Sequence, residues 1–454
     1  MLYRESHEWY LWSVEEPRSS APDAAPELFG CPVRRRYAWQ LWAYGKSNRD
    51  WQRTLHEAIA REPGVARLSD LLCAAETGTR HYPAAFARAG VTWRDLRSRA
   101  DLAHFPSLPR GLLQSQFHDL FHRDVGAHEI DEGWLGRSSG STGEPVKFFM
   151  DAGSIHFFTA FIRFLWERHG FGALPRAGRS GIVLLCTLPR SAIYETFLPL
   201  FGFTRFRKLH WGEPQAGATL ARLAPAVISG DPDSLAALAD ACEAGLAVRP
   251  RLVLSSAFPL APDLADRIAR ATGAHVVDYY SMAETGPIAW KCAHGRFHVL
   301  EGAIEVESVA GEILVTNLRN PFFPLVRYHT GDLATVAPAE PCECGATTRT
   351  LRDFAGRVAA RFLAADGRRV DPSQLQPVLS KLDVRQYQLE QVSAGEIRLR
   401  YLADVALDAG AAGQLGGALD RLLGRPTRVT FLRAATPIFR SGEKPIVYRG
   451  FPET

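Results

Sequence analysis

Residues able to do chemistry sit in a few short stretches of this 454-residue chain. The first is Ser138-Ser139-Gly140-Ser141-Thr142-Gly143-Glu144-Pro145, with Gly, Ser or Thr at six of its eight positions, between Trp134-Leu135 and Val146-Lys147-Phe148-Phe149. Glycines let backbone amides approach an anion closely and hydroxyls add donors, so the stretch reads as a phosphate cradle. A plain surface turn has the same composition. It is not the G-x-x-x-x-G-K-[ST] loop, because no Lys-Ser or Lys-Thr follows Gly143. Three charged residues stand at comparable places. Glu284 closes Tyr279-Tyr280-Ser281-Met282-Ala283-Glu284, Asp332 ends the tight turn His329-Thr330-Gly331-Asp332, and Lys444 lies on the loop Phe439-Arg440-Ser441-Gly442-Glu443-Lys444-Pro445. Each has a plain alternative: Glu284 can cap a following helix, Asp332 can satisfy its own turn, and Lys444 can be a solvated lysine. Finally, Cys342-Glu343-Cys344 and Cys292-Ala293-His294-Gly295-Arg296-Phe297-His298 offer thiolates and imidazoles. Three Cys and one His suit a closed tetrahedral zinc site; reduced thiols in loops are the alternative.

These residues need elements to position them. Apolar residues at helical spacing (Ile155, Phe158, Phe161, Ile162, Leu165, Trp166) predict a helix over 154–169. Apolar runs predict strands at 181–186, 226–230, 251–255 and 274–278, with helices over 233–243 and 262–272. Strand and helix alternate, so the class is α/β with a mainly parallel sheet and covering helices, and ligands belong beyond the carboxyl ends of its strands. Two segments follow strands in that way, Ser255-Ser256-Ala257-Phe258-Pro259 and Tyr279–Gly286. Past residue 300 shorter alternating strands take over, and a boundary is expected near Phe354-Ala355-Gly356-Arg357. Residues 1–60 are rich in Trp and Tyr and read as a packing appendage with room for a homodimer contact; 64–125 read as broken helices without chemistry.

Length predicts two or three domains. Hydrophobic content of 46% and charged content of 22% are those of a soluble globular protein. No run approaches the roughly eighteen apolar residues of a membrane helix, and Met1–Glu8 lacks the apolar region of a signal peptide, so a cytoplasmic location is expected. The net charge of +4 is mild, and only six of the 53 basic residues are Lys. Arg34-Arg35-Arg36 has no aromatic-interleaved stripe beside it, which argues against a nucleic-acid partner. Seven cysteines in so long a chain argue for metal binding or reduced thiols rather than a disulfide framework.

Four of these stretches, in order and at fitting separations, resemble the adenylate-forming superfamily of acyl-CoA synthetases, and its phenylacetate–CoA ligase branch in particular. Ser138–Pro145 resembles its phosphate loop. Tyr280-Ser281-Met282-Ala283-Glu284 looks like the Tyr-Gly-x-[ST]-Glu motif and Tyr328-His329-Thr330-Gly331-Asp332 like Tyr-Arg-Thr-Gly-Asp. Gly356-Arg357 resembles the hinge entry and Ser441-Gly442-Glu443-Lys444 the terminal Ser-x-Gly-Lys segment. The likeness spans roughly residues 100 to 450. It implies a large N-terminal domain over 1–355 and a small mobile α+β domain over 356–454 that carries the catalytic lysine. It also implies the reaction: a carboxylate attacks the α-phosphorus of ATP and expels pyrophosphate, so cations and donors must surround the developing charge. By the resemblance, Ser138, Ser139, Gly140, Ser141, Thr142 and Gly143 hold the β- and γ-phosphates. Tyr280 stacks on adenine with Ser281 beside it, and Asp332 accepts from the ribose hydroxyls. Arg357 belongs to the nucleotide-binding set. Glu284 binds Mg²⁺, and Lys444 reaches between carboxylate and α-phosphate.

Some positions depart from the pattern. Glu144 stands where the loop usually has Lys, Ser281 replaces Gly, and His329 replaces Arg. Val358-Ala359-Ala360-Arg361 lacks the acidic hinge residue, which sets CoA as acceptor against an amine, a hydroxyl or a carrier-protein thiol, or against a scaffold without catalysis. The branch's Cys-x5-His plus Cys-x-Cys arrangement selects Cys292, His298, Cys342 and Cys344 as structural Zn²⁺ ligands. The acid is expected to be a small aromatic carboxylic acid, with Phe157, Phe161, Ala257 and Phe258 on its pocket wall.

Overall fold

The structure is a computed structural model that describes residues 65–126, 133–137, 146–172, 181–186, 194–198, 204–357, 362–370, 372–379, 382, 384, 386–436, 438 and 448–450. The appendage expected over 1–60 lies outside the described residues.

Helices α1 (Val65–Gly78), α2 (His81–Ala89) and α3 (Arg110–Ser115) open the described chain. A ribbon of β1 (Trp134–Arg137) and β2 (Lys147–Met150) follows, then α4 (Ala152–Arg168). Asp151 caps α4, its carboxylate accepting from the Ser154 N–H at 2.9 Å, which is why the helix starts there. Of the residues its helical spacing picks out, Phe161, Ile162, Leu165 and Trp166 are buried and Phe158 is half-buried, while Phe157, which that spacing does not pick out, is buried too.

Twelve strands form one sheet in the order β11-β12-β13-β14-β10-β9-β8-β7-β6-β3-β5-β4. In chain order they are β3 (Gly181–Cys186), β4 (Tyr194–Leu198), β5 (Thr204–His210), β6 (Val227–Gly230), β7 (Leu252–Ser255), β8 (His275–Met282), β9 (Gly286–Lys291), β10 (Phe297–Val299), β11 (Ile304–Val309), β12 (Glu312–Asn317), β13 (Tyr328–Ala337) and β14 (Thr350–Arg357). One half is parallel: β5-β3-β6-β7-β8, with α5 (Ala216–Leu223), α6 (Pro232–Glu243) and α7 (Pro262–Thr272) between its strands. Strands β6 and β7 are buried at every position, the pattern of strands covered on both faces. From β8 onward every pairing is antiparallel, as the shorter alternating strands after residue 300 predict. The α/β class therefore holds, with the parallel strands confined to half of a mixed sheet.

Strand alternation sorts the core. On β8 and β9, Tyr280, Met282 and Ala289 pack with the N-terminal helices, whereas Val277, Tyr279 and Trp290 pack with α4. The two pleats of one strand pair thus face two different neighbourhoods.

After β15 (Phe362–Leu363) and β16 (Arg369–Val370), a second sheet has the order β19-β18-β17-β20, formed by β17 (Gln386–Ser393), β18 (Glu396–Leu402), β19 (Arg428–Arg433) and β20 (Tyr448–Arg449). Helix α8 (Ala409–Leu423) covers it, and the group has its own core around Leu389, Leu399, Leu415 and Leu419. Among the described residues no helix is long and apolar enough to cross a membrane.

Candidate active site and metal centre

A bulge in β13 aims the first candidate. Between the pairs Glu312↔Leu333 and Leu314↔His329, residues 330–332 stand opposite Ile313 alone. Gly331 takes the left-handed conformation (φ 75°) that this crowding requires. The turn expected at His329–Asp332 is therefore an irregularity inside one strand, because Thr330 and Gly331 keep bonding to β12, through the Ile313 carbonyl and the Glu312 carboxylate. The bulge directs Asp332, 5% exposed, so that it accepts a 2.7 Å hydrogen bond from the Tyr280 hydroxyl of β8. The Tyr280 ring lies against Phe354, with centroids 4.7 Å apart.

Glu284 lies in the turn after β8, at 2% exposure. A strand, β9, follows it, so helix capping does not explain it. Its carboxylate meets Arg110 at 3.4 Å and the Tyr328 hydroxyl at 3.5 Å. Arg110 arrives there because the chain before it is strapped to β13. Leu108 bridges Tyr328, the Leu108 N–H donates to the Arg327 carbonyl, and the His329 N–H donates to the Leu108 carbonyl. His329 adds side-chain bonds to Ser107 and Glu312, each 3.0 Å. Arg327 donates to the carbonyls of Ala103 and Phe105 and pairs with Glu307. Sequence reasoning saw no chemistry in residues 64–125, so it missed Arg110; one arginine after a proline carries no periodic signal.

Other expected residues divide plainly. Ser138, Ser139, Gly140, Ser141, Thr142, Gly143 and Lys444 lie outside the described residues. The strands bounding the loop are paired, Arg137 opposite Lys147. Arg357 stands opposite Asp332 in the β13–β14 register. Ser281 shares a 2.6 Å hydrogen bond with Ser256, tying the two segments that follow β7 and β8.

On the opposite pleat, Phe157 and Phe161 are fully buried, and the Phe161 and Tyr279 rings lie 5.1 Å apart. Burial raises the pKa of Tyr279, against hydrogen bonds to Ser229 and Ser256, so the phenol stays neutral. Phe258 is half-buried and Ala257 exposed. Ala257 holds φ 83°, a strained value for a residue with a Cβ, at the carboxyl end of β7. Arg319 also escaped sequence reasoning. Its guanidinium lies 3.6 Å from the Phe157 ring centre and donates to the carbonyls of Thr285 and Ala303. Burial pulls its pKa down to about 9, and the charge of Asp151 opposes this.

The third group is compact. Ligand atoms of Cys292, His298, Cys342 and Cys344 lie within 4.8 Å of one another. Two similar turns bring the sulphurs together. In each, a glycine three residues on (Gly295, φ 75°; Gly345, φ 82°) donates its N–H to the Cys carbonyl, at 2.9 and 2.7 Å. Cys344 Sγ is 3.3 Å from His298 Nε2, and His298 Nδ1 meets Thr348 Oγ1 at 3.1 Å, the outer-sphere bond that orients a ligating imidazole. His294 instead faces the exposed Glu343 at 3.5 Å. Burial, then the charges of Arg168 and Arg296, push His298 down to about 4, which leaves a neutral ring with a lone pair to give. Burial pushes the Cys344 thiol up, but hydrogen bonds from the Ala346 backbone and Arg168 outweigh it and lower its pKa. Three sulphurs and one neutral nitrogen in one closed group fit a structural zinc ion.

No family model matches the chain, and no curated protein sequence matches it. Its fold does have solved likenesses. It is similar to 2-hydroxyisobutyryl-CoA ligase in the postadenylation state with R3-HIB-AMP, at 21% identity over 85% of this chain and 88% of that one, with a TM-score of 0.62. The open conformation of that ligase, with 2-HIB-AMP and CoA, matches at 19% identity over 86% and 90%, with a TM-score of 0.58. Likeness at this identity is likeness of architecture: the chain has the fold of the adenylate-forming acyl-CoA ligases.

Proposed function

We propose that the chain is an ATP-dependent ligase that activates an aromatic carboxylic acid as an acyl-adenylate and transfers the acyl group to CoA, after the phenylacetate–CoA ligase pattern. What carries this reading is the buried Tyr280–Asp332 pair, with the buried Glu284 four residues after Tyr280, set in the fold of a ligase solved with 2-HIB-AMP and CoA.

In this reading the acid's carboxylate oxygen bonds to the α-phosphorus of ATP as the bond to pyrophosphate breaks. Asp332 holds the ribose hydroxyls, since a carboxylate can accept a hydrogen bond from each of two neighbouring hydroxyls. That bond fixes Tyr280 for adenine, and Arg357, opposite Asp332, borders the same site. Glu284 would hold Mg²⁺ as a hard oxygen ligand, and the ion would supply charge neutralisation for the phosphates. Arg110 supplies a cation beside Glu284, and the phosphate-loop sequence carries Glu144 where its resemblance calls for lysine. Ser138 to Gly143 donate to the β- and γ-phosphates, and Lys444, from the small mobile domain after β14, neutralises charge between carboxylate and α-phosphate. Phe157, Phe161, Ala257 and Phe258 line the acid's side. Cys292, His298, Cys342 and Cys344 hold zinc as a structural ion.

Val358-Ala359-Ala360-Arg361, without an acidic hinge residue, supports a second reading in which the acceptor is an amine, a hydroxyl or a carrier thiol. Acid-dependent exchange of labelled pyrophosphate into ATP tests the first half-reaction; none with any aryl acid overturns the aromatic reading. AMP release with CoA, and not with the rival acceptors, supports CoA; the reverse selects the second reading.

A further inference from the structure

Arg168 is the last residue of α4. Its Nη2 donates to the Cys344 carbonyl at 2.7 Å and lies 3.5 Å from the Cys344 sulphur. The guanidinium carbon stands 4.8 Å from the centre of the Trp290 ring, and that ring stacks on His298 with centroids 5.1 Å apart. One side chain thus touches the backbone and sulphur of one candidate ligand and backs a second through Trp290. A divalent ion held by three thiolates and one neutral imidazole carries one surplus negative charge. A partly buried charge is costly unless paired, and arginine is a permanent cation with forked donors.

Arg168 also belongs to the helix on the acid's side. Phe157, Phe161 and Leu165 succeed one another at four-residue spacing, and Arg168 comes three later, so all four share one face of α4. We propose that Arg168 is a positioning residue of the zinc centre: it balances the surplus thiolate charge, fixes Cys344, and fastens the carboxyl end of α4 to the metal. This rests on the zinc reading above, and the experiment separates the two.

Elemental analysis gives the zinc content of the purified full chain. Competition with a chromogenic chelator then gives the zinc affinity of wild type, Arg168→Gln and Arg168→Lys. Wild type is expected to hold one zinc per chain, Arg168→Gln to bind it about 10–100-fold more weakly, and Arg168→Lys to fall between. In cobalt-substituted protein the thiolate-to-cobalt charge-transfer band moves to lower energy in Arg168→Gln, a shift that helix packing alone does not produce. Wild type without zinc overturns the zinc reading and the role of Arg168 with it. Zinc-bearing wild type whose affinity and cobalt spectrum are unchanged in both variants overturns the role of Arg168 alone. Should Arg168→Gln not fold, Arg168→Lys decides: weakened affinity supports the role and unchanged affinity overturns it.

Discussion

The carboxylate cluster and the cysteine cluster are built in opposite ways. Cys292 sits on a turn and His298 on β10 just after it, Cys342 and Cys344 sit on a second turn, and each Cys turn closes through its own glycine. Glu284, Arg110, Tyr328, Asp332 and Tyr280 come from segments far apart in the chain, held by a strap from residue 103 to residue 110 and by a bulge in β13. In the reading proposed above, the cysteine cluster is closed by the zinc ion it holds. The carboxylate cluster is held by protein–protein hydrogen bonds and needs nothing bound to keep its shape. Loss of the metal should therefore register as stability, and loss of a carboxylate or lysine as rate.

That contrast can be broken experimentally, starting with the largest effect. Lys444→Ala is expected to lower pyrophosphate exchange by about a thousandfold, with the melting temperature unchanged; retained exchange removes Lys444 from the mechanism. Chelation of zinc, or Cys342→Ser, is expected to cost on the order of 3 kcal/mol of stability, read as a fall in melting temperature. A fall in ATP affinity without loss of stability contradicts the division of labour. Asp332→Ala should lower exchange by about a hundredfold, chiefly through the KM for ATP. It also removes the hydrogen bond that the buried Tyr280 hydroxyl donates, a cost of about 1 kcal/mol. An unchanged KM for ATP removes Asp332 from the nucleotide site.

The smallest effect lies in neither cluster. Burial pushes Asp278 up to about 6, against the pull of Lys291 and two backbone N–H groups. A carboxyl raised in the folded state has its full stability below its unfolded pKa, near 3.8, and loses it as pH rises through about 6. Asp278→Asn should therefore gain about 1–2 kcal/mol at pH 8, and the gain should vanish near pH 4. Chemical denaturation at the two pH values checks this; an equal effect at both removes the ionisation from the account.

Legibility in the sequence follows the same contrast. The cysteine turns are local, so spacing alone narrowed the ligands to a few residues, and the resemblance chose His298. The parallel half-sheet was legible because β3, β6 and β7 are continuous apolar runs, which only covered strands need. Glu284 and Asp332 stood out as charges at strand ends. Arg110, Arg168 and Arg319 did not, because a functional arginine differs from a surface one only by what folding brings to it. The Asp332 segment looked like a turn because Gly331 signals one; only the pairing with β12 shows a bulge instead.

The most direct test of the central claim is exchange of labelled pyrophosphate into ATP by wild type and Glu284→Gln, across matched aromatic and aliphatic acids. The account predicts exchange in wild type that requires both an acid and Mg²⁺, largest with an aromatic acid, and nearly abolished in Glu284→Gln. No exchange with any acid, or equal exchange in the two proteins, contradicts it.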